Sequence, residues 1–403
     1  MSFKIRVHLY DLLFFLLIVL SFYFTRNVLC SIMMVVFFGY TIFQQCVRNK
    51  KTPVSFFIVG FLVFILYGAV NILIGNVVNP QVSRTMVVSL FWNFLMLYSI
   101  VQYVYMKNDI QQVLKITELG MFTAAVVVVL LSWKTITEGR LGVSIEINSN
   151  MLAMLCVYGL ILSMYLRRIG KYTRGVCWFR IAFYTLVVLL SGSRKGLIMI
   201  AVGVAVIQLF VDRRRLLKSV LITATAVAAV YILIMNVEVL YNIIGTRVES
   251  LLELLAEGST EEGSLNSRQR LIKIGWSYIK EKPWTGYGYG SFWTFPRVLA
   301  ISGDNIGVYS HNNYVELLTG GGIIALVLYY IPMIYLLVKL FKRTSMDISM
   351  PYLLAILVSK LAIEYAYVSY NGRTDTYILA IVVGCVLVSG KTKNNAIENL
   401  KLS

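Results

Sequence analysis

Long apolar runs recur throughout this 403-residue chain, which has a mean hydropathy of +0.76 and is 58% hydrophobic and 14% charged. Backbone N–H and C=O groups in hydrocarbon find no water, so such runs are stable there only as helices that satisfy their own hydrogen bonds. Twelve spans are predicted, at about 9–25, 28–47, 54–74, 82–106, 119–135, 149–166, 174–191, 196–211, 216–236, 314–340, 350–369 and 376–390. The expected fold is an all-α integral membrane protein. The first run has no small-residue cleavage site and reads as a retained span.

The formal charge of +18 reports topology. Basic residues cluster at Lys4/Arg6, Arg48/Lys50/Lys51, Lys107/Lys115, Arg167/Arg168/Lys171/Arg174, Arg213/Arg214/Arg215/Lys218, Lys339/Lys342/Arg343 and Lys391/Lys393, in every second loop. This is the positive-inside pattern, and it predicts that both termini are cytoplasmic. The chain then divides into spans one to nine (1–236), a large outer loop (237–313), and spans ten to twelve with a cytoplasmic tail (314–403). From Val237 to His311 the loop holds seven Lys/Arg against eight Asp/Glu, so no basic excess is available to bind a nucleic acid. The five cysteines fall in or beside the spans, so neither a disulfide nor a metal site is expected in the loop. The loop has no counterpart in the first half, which argues against the paired repeats of many transporters.

The loop ends in Ser310-His-Asn-Asn-Tyr314, and His311 is one of only two histidines. It is therefore the natural candidate for proton chemistry near neutral pH on that side. It is expected to open the tenth span, sharing a face with Tyr314, Val315, Leu318 and Gly322, while Glu316 points elsewhere. Upstream, Asn266 to Lys282 reads as a helix with Asn266 as its cap, Gln269 at the capping-box position and Pro283 as its stop. Leu271, Ile272, Gly275, Trp276 and Ile279 form its apolar face. Arg268 falls within that face, where a charge is costly unless an anion meets it, whereas Arg270 falls on the solvated face. The run Gly286-Tyr-Gly-Tyr-Gly290 follows no strand and opens no helix, so it is no dinucleotide loop. It reads as an interfacial turn that leaves room for a sugar or lipid phosphate.

Two further charge groups need an explanation. Arg194 and Lys195, in Ser191-Gly-Ser-Arg-Lys-Gly196, sit at the outer end of a span against the positive-inside trend. They fit either an anion site or cations snorkelling to the headgroups. Lys360 and Glu364 are four residues apart within the eleventh span. They fit either ion coupling or a self-neutralising structural pair, and the structural pair is preferred.

Three segments together resemble the O-antigen ligase and O-antigen (Wzy-type) polymerase superfamily. They are Ser191-Gly-Ser-Arg-Lys-Gly196, Ser267-Arg268 through Lys282-Pro-Trp-Thr-Gly-Tyr-Gly-Tyr-Gly-Ser-Phe292, and His311-Asn-Asn-Tyr-Val-Glu-Leu-Leu-Thr-Gly-Gly-Gly-Ile323. Gly139-Arg140 through Asn148-Ser-Asn150 is more faintly similar to a further element of the family. The resemblance implies a glycosyltransferase of the GT-C-like type in the bacterial plasma membrane, with the large loop outside. It would transfer glycan from undecaprenyl pyrophosphate without a metal or nucleotide sugar. Its other partners would be the bilayer and, in chain assembly, a flippase and a chain-length regulator. On this resemblance Arg194, Arg268 and His311 are the catalytic residues. Lys195, Arg270, Asn312, Tyr314, Gly286, Gly288 and Gly290 are the substrate-binding residues. Polymerase is preferred over ligase, with a polysaccharide flippase or ion-coupled transporter as the reading of another class.

Overall fold

A computed structural model of the chain describes residues 9–23, 28–48, 53–135, 139–211, 225, 228–246, 248–250, 252, 263–302 and 307–402. Among these residues there is no strand. The principal helices are α1 Leu9–Tyr23, α2 Val28–Arg48, α3 Phe56–Leu73, α4 Pro80–Lys107, α5 Ile110–Ser132, α6 Ser149–Arg168, α7 Arg174–Leu190, α8 Arg194–Val211, α9 Gly263–Glu281, α10 Asn313–Arg343, α11 Met350–Ala362 and α12 Arg373–Leu402. Their starts follow local chemistry. The side chains of Ser55, Asn79, Asp109, Asn148 and Thr173 accept hydrogen bonds from first-turn N–H groups that have no intrahelical partner.

Among the described residues, eight helices are long and apolar enough to cross a membrane, or nine if the bent pair Ala228–Asn236 and Glu238–Ser250 is one span. Twelve were expected, and the structure treats the remaining predicted spans individually. The predicted span 350–369 is helical only to Ala362, after which the chain turns around a buried polar cluster. Residues 9–21 also form only a short apolar helix. The 17-residue α7 carries Arg180, whose guanidinium lies 3.3 Å from the Phe122 ring centroid and beside buried Glu118. The predicted span 216–236 lies largely outside the described residues.

One apolar core runs from α1 to α12, with α3 packed on α10, α4 on α12, α1 on α5, and α6 on both α7 and α8. A second, smaller cluster joins Leu271 and Ile279 of α9 to Phe292, Phe295 and Val298, and to Val315 and Leu318 of α10. Gly275 permits this docking, because a Cβ there would lie 2.3 Å from Val315. Trp276, assigned to the same apolar face, is instead 49% exposed. The helix also begins at Gly263, so Asn266 lies within it rather than capping it.

α10 is broken at Gly322, whose φ of 67° and ψ of −163° are outside any helix. The break is repaired by the segment after α9. Tyr287 and Gly288 donate their N–H groups to the carbonyls of Thr319 and Gly320 (2.9 and 2.7 Å), and Ile323 donates to Pro283 (2.8 Å). The two chains come so close that a Cβ on Gly322 would lie 2.2 Å from the Trp284 carbonyl. Gly322→Ala therefore adds a steric overlap to a backbone conformation that alone costs about 1–3 kcal/mol. It is expected to lower the melting temperature of the purified protein and to abolish activity together. An unchanged melting temperature would contradict this junction.

Lys360 and Glu364, both fully buried, bond to each other. Lys360 also donates to Ser369 (2.9 Å), and the Tyr330 hydroxyl donates to Glu364 (2.7 Å). The pair is closed on itself, as the structural reading requires. Lys360→Met should cost roughly 3–5 kcal/mol by stranding a buried carboxylate, and Lys360→Met/Glu364→Gln should recover most of it. Thermal unfolding of the three proteins tests this.

Candidate active site

Three structural elements converge where α8 and α10 begin. The first is the α7–α8 turn. Ser191 closes α7, with its hydroxyl on the Val188 carbonyl (2.6 Å), and Gly192 takes the left-handed conformation (φ 60°). Arg140 clamps the turn, its Nε donating to the Ser191 carbonyl (2.8 Å) and its terminal nitrogen to Asn150 Oδ1 (3.3 Å). Ser193 donates to the same Asn150 oxygen (2.9 Å). The glycines here make room for protein and not for a ligand: a Cβ on Gly192 would meet the Ile243 carbonyl at 2.8 Å, and one on Gly196 would meet Val188 and Ala153. So held, the turn starts α8 with Arg194 half-buried and Lys195 only 7% exposed.

α9 supplies the second element. Arg268 is half-buried, whereas Arg270 is exposed on another face. Arg268, Arg140 and Arg194 all act electrostatically on Lys195, whose ammonium lies 5.2 Å from the Tyr367 ring centroid. A nearly buried lysine surrounded by guanidinium groups is unfavourable without a compensating anion.

The third element is the turn before α10. His311 is not on the helix, as expected from the sequence, but precedes it with φ 58°, a conformation uncommon for a residue with a side chain. Asn312 is the cap, its Oδ1 accepting from the Val315 N–H (3.1 Å). Glu316 fixes the turn from below. It is buried, accepts from the Ser310 N–H (2.7 Å) and bonds to Trp293, and it does not pair with His311. The Ser310 hydroxyl donates to the Asn312 carbonyl (2.8 Å), closing the loop around His311. The Tyr309 ring packs against the imidazole, with centroids 4.2 Å apart.

His311 feels both of the other elements. Burial first, then the charges of Arg268 and Lys195, pushes its pKa from 6.5 down to about 3, so it is neutral at physiological pH. Arg268 also faces Tyr309, whose hydroxyl is pushed up chiefly by burial. Tyr314, the second residue of α10, stacks on Tyr330 (5.2 Å, 13° between planes) and leaves 37% of its surface open.

The structure thus brings together Arg268, Lys195 and His311, with Arg194 and Arg140 also acting on Lys195. Other assigned residues are used differently. Asn312 Oδ1 serves the cap, and Arg270 is exposed on another face of α9. The Cβ directions of Gly286, Gly288 and Gly290 are occupied by protein neighbours. A Cβ on Gly286 would lie 2.7 Å from the backbone of Gly321, and one on Gly288 would lie 2.6 Å from Ser83. Gly290 abuts Val82 and Met86, so all three admit protein neighbours. Sequence reasoning missed Tyr309 and Tyr367, and it left Arg140 and Asn150 only faintly marked. The acidic residue in the first turn of α10 was the visible signal for Glu316.

Residues 179–330 match a family model described as O-antigen ligase, Wzy_C. The match contains all three motifs and leaves Arg140 outside it. No curated protein matches the chain.

Proposed function

From the premise that residues 179–330 place the chain in the O-antigen ligase/polymerase superfamily, we propose that it is a bacterial surface-polysaccharide polymerase. It would move a glycan from undecaprenyl pyrophosphate onto a second lipid-linked repeat unit at the outer face of the plasma membrane. The polymer would be an O-antigen, capsule or exopolysaccharide. The observation that carries this reading is a neutral histidine held beside two cations, Arg268 and Lys195.

In this reading the acceptor hydroxyl attacks the anomeric carbon, and the bond from that carbon to the pyrophosphate oxygen breaks. The electron pair leaves with undecaprenyl pyrophosphate. Arg268 and Lys195, flanked by Arg194 and Arg140, take up the developing charge, a role for which fixed guanidinium groups are well suited. His311 accepts the hydroxyl proton and passes it to water. Attack from the face opposite the leaving group inverts the anomeric configuration. Tyr314 offers its open ring to a sugar face.

Binding and catalysis are coupled through charge. In the empty site burial, and after it the charges of Arg268 and Lys195, make His311 a weak base. A bound pyrophosphate offsets both cations, so His311 becomes more basic only once the donor is in place. The transfer base is thereby switched on by its own substrate, which limits proton abstraction in the absence of a donor.

The second reading is a ligase, supported by the description of the matching family model. Purified protein given lipid-linked repeat unit alone separates the two. A ladder of longer glycans is expected for a polymerase. Transfer that begins only when a lipid A core or protein acceptor is added would replace it with a ligase. The bond between Lys360 and Glu364 supports the structural reading of these charges over ion coupling.

A further inference from the structure

α7 and α8 leave the turn that carries Lys195 and both pack on α6, yet they hardly touch each other elsewhere. At the opposite end of the bundle the gap between them forms a crevice of 330 Å³. Ile181 of α7 and Ile207 and Val211 of α8 give it apolar walls. Trp178 also lines it and is 67% exposed. Arg167 and Arg168, at the end of α6, and Arg174, at the start of α7, stand around it. Among the described residues no carboxylate lies within ion-pair distance of these arginines. The buried acid nearby, Glu118, is taken up by Ser163, Tyr172 and Tyr184 and faces Arg180.

Loop arginines alone are accounted for by the positive-inside rule. Here they adjoin an apolar slot between spans, with a tryptophan of the kind that sits at headgroup level. That combination matches a lipid molecule, with charge at one end and hydrocarbon at the other. We propose that the crevice binds an anionic phospholipid of the leaflet on this side, which the positive-inside rule makes the cytoplasmic one. The phosphate would sit among Arg167, Arg168 and Arg174, and an acyl chain would lie between α7 and α8.

The test titrates the purified full chain in detergent with phosphatidylglycerol or phosphatidylcholine and counts bound lipid by native mass spectrometry. One phosphatidylglycerol is expected to be retained in preference to phosphatidylcholine. Arg167→Gln/Arg168→Gln/Arg174→Gln should weaken that binding at least about tenfold. Ile181→Trp, which fills the slot without changing charge, should weaken it comparably, and Lys339→Gln/Lys342→Gln should leave it intact. If the triple variant cannot be purified, Arg174→Gln and Ile181→Trp carry the comparison. Binding that survives Ile181→Trp, or that falls equally with the Lys339/Lys342 control, would show diffuse attraction to basic loops and overturn the site.

Discussion

Arg268→Ala is expected to lower glycan transfer at least about 100-fold at normal protein levels, the scale seen when one fixed stabiliser of a developing anion is removed. Arg270→Ala should stay within about twofold, as exposed substitutions away from a site usually do. The two arginines are only two residues apart, but α9 turns one toward α10 and the other to the surface. Arg268 reaches Lys195, Tyr309 and His311 electrostatically, and Arg270 figures at none of them. Arg268→Lys should recover only part of the activity, because an ammonium cannot bind phosphate oxygens with a planar fork. Transfer rates and expression levels measured for all three proteins decide the matter. Equal losses from Arg268→Ala and Arg270→Ala would contradict the assignment.

His311→Ala should reduce turnover about 10²–10⁴-fold, the usual contribution of a positioned general base, with little change in donor binding. Its pH dependence is more discriminating. With a folded-state pKa of about 3, His311 stays neutral in the empty enzyme well into the acid range. The profile of kcat/KM for the donor should therefore lack an acid limb from this group near pH 6. With donor bound, the pyrophosphate offsets Arg268 and Lys195, and the acid limb of kcat should move upward, toward the ordinary histidine range. Lys195→Gln should raise the limb in the free enzyme as well. The same shift affects stability. As pH falls below 6.5 the unfolded chain takes up a proton that the folded chain refuses, so His311 destabilises the fold progressively between 6.5 and about 3. Coincident acid limbs for kcat and kcat/KM near pH 6.5 would contradict the electrostatic coupling.

What could be read from the sequence was local. Apolar periodicity locates most of the helices, and the apolar stripe of α9 distinguishes Arg268 from Arg270. The Lys360–Glu364 spacing already implied a pair. What could not be read depended on contacts between distant segments. The glycines of 286–290 read as room for a sugar, whereas their Cβ directions are filled by the broken turn of α10 and by α4, which the sequence does not place beside them. His311 looked like the first residue of a helix. Its φ of 58° is imposed by Glu316 reaching back to Ser310, and by Asn312 taking over the cap. Lys195 was placed behind Arg194 in importance, yet the start of α8 turns the lysine inward. Tyr367 joins the site only because α11 ends at Ala362, and hydropathy ran that helix on to 369.

The most direct measurement uses the scarcity of histidine. In a chain with only His8 and His311, the His8→Gln protein carries a single histidine, so ¹⁵N-histidine NMR reports one imidazole. Titrated without donor, His311 is expected to remain neutral to well below pH 5, and its pKa should rise both on adding undecaprenyl pyrophosphate and in Arg268→Gln. A pKa near 6.5 that neither the pyrophosphate lipid nor Arg268→Gln alters would mean that the cations do not face the histidine, and the site would not be as described.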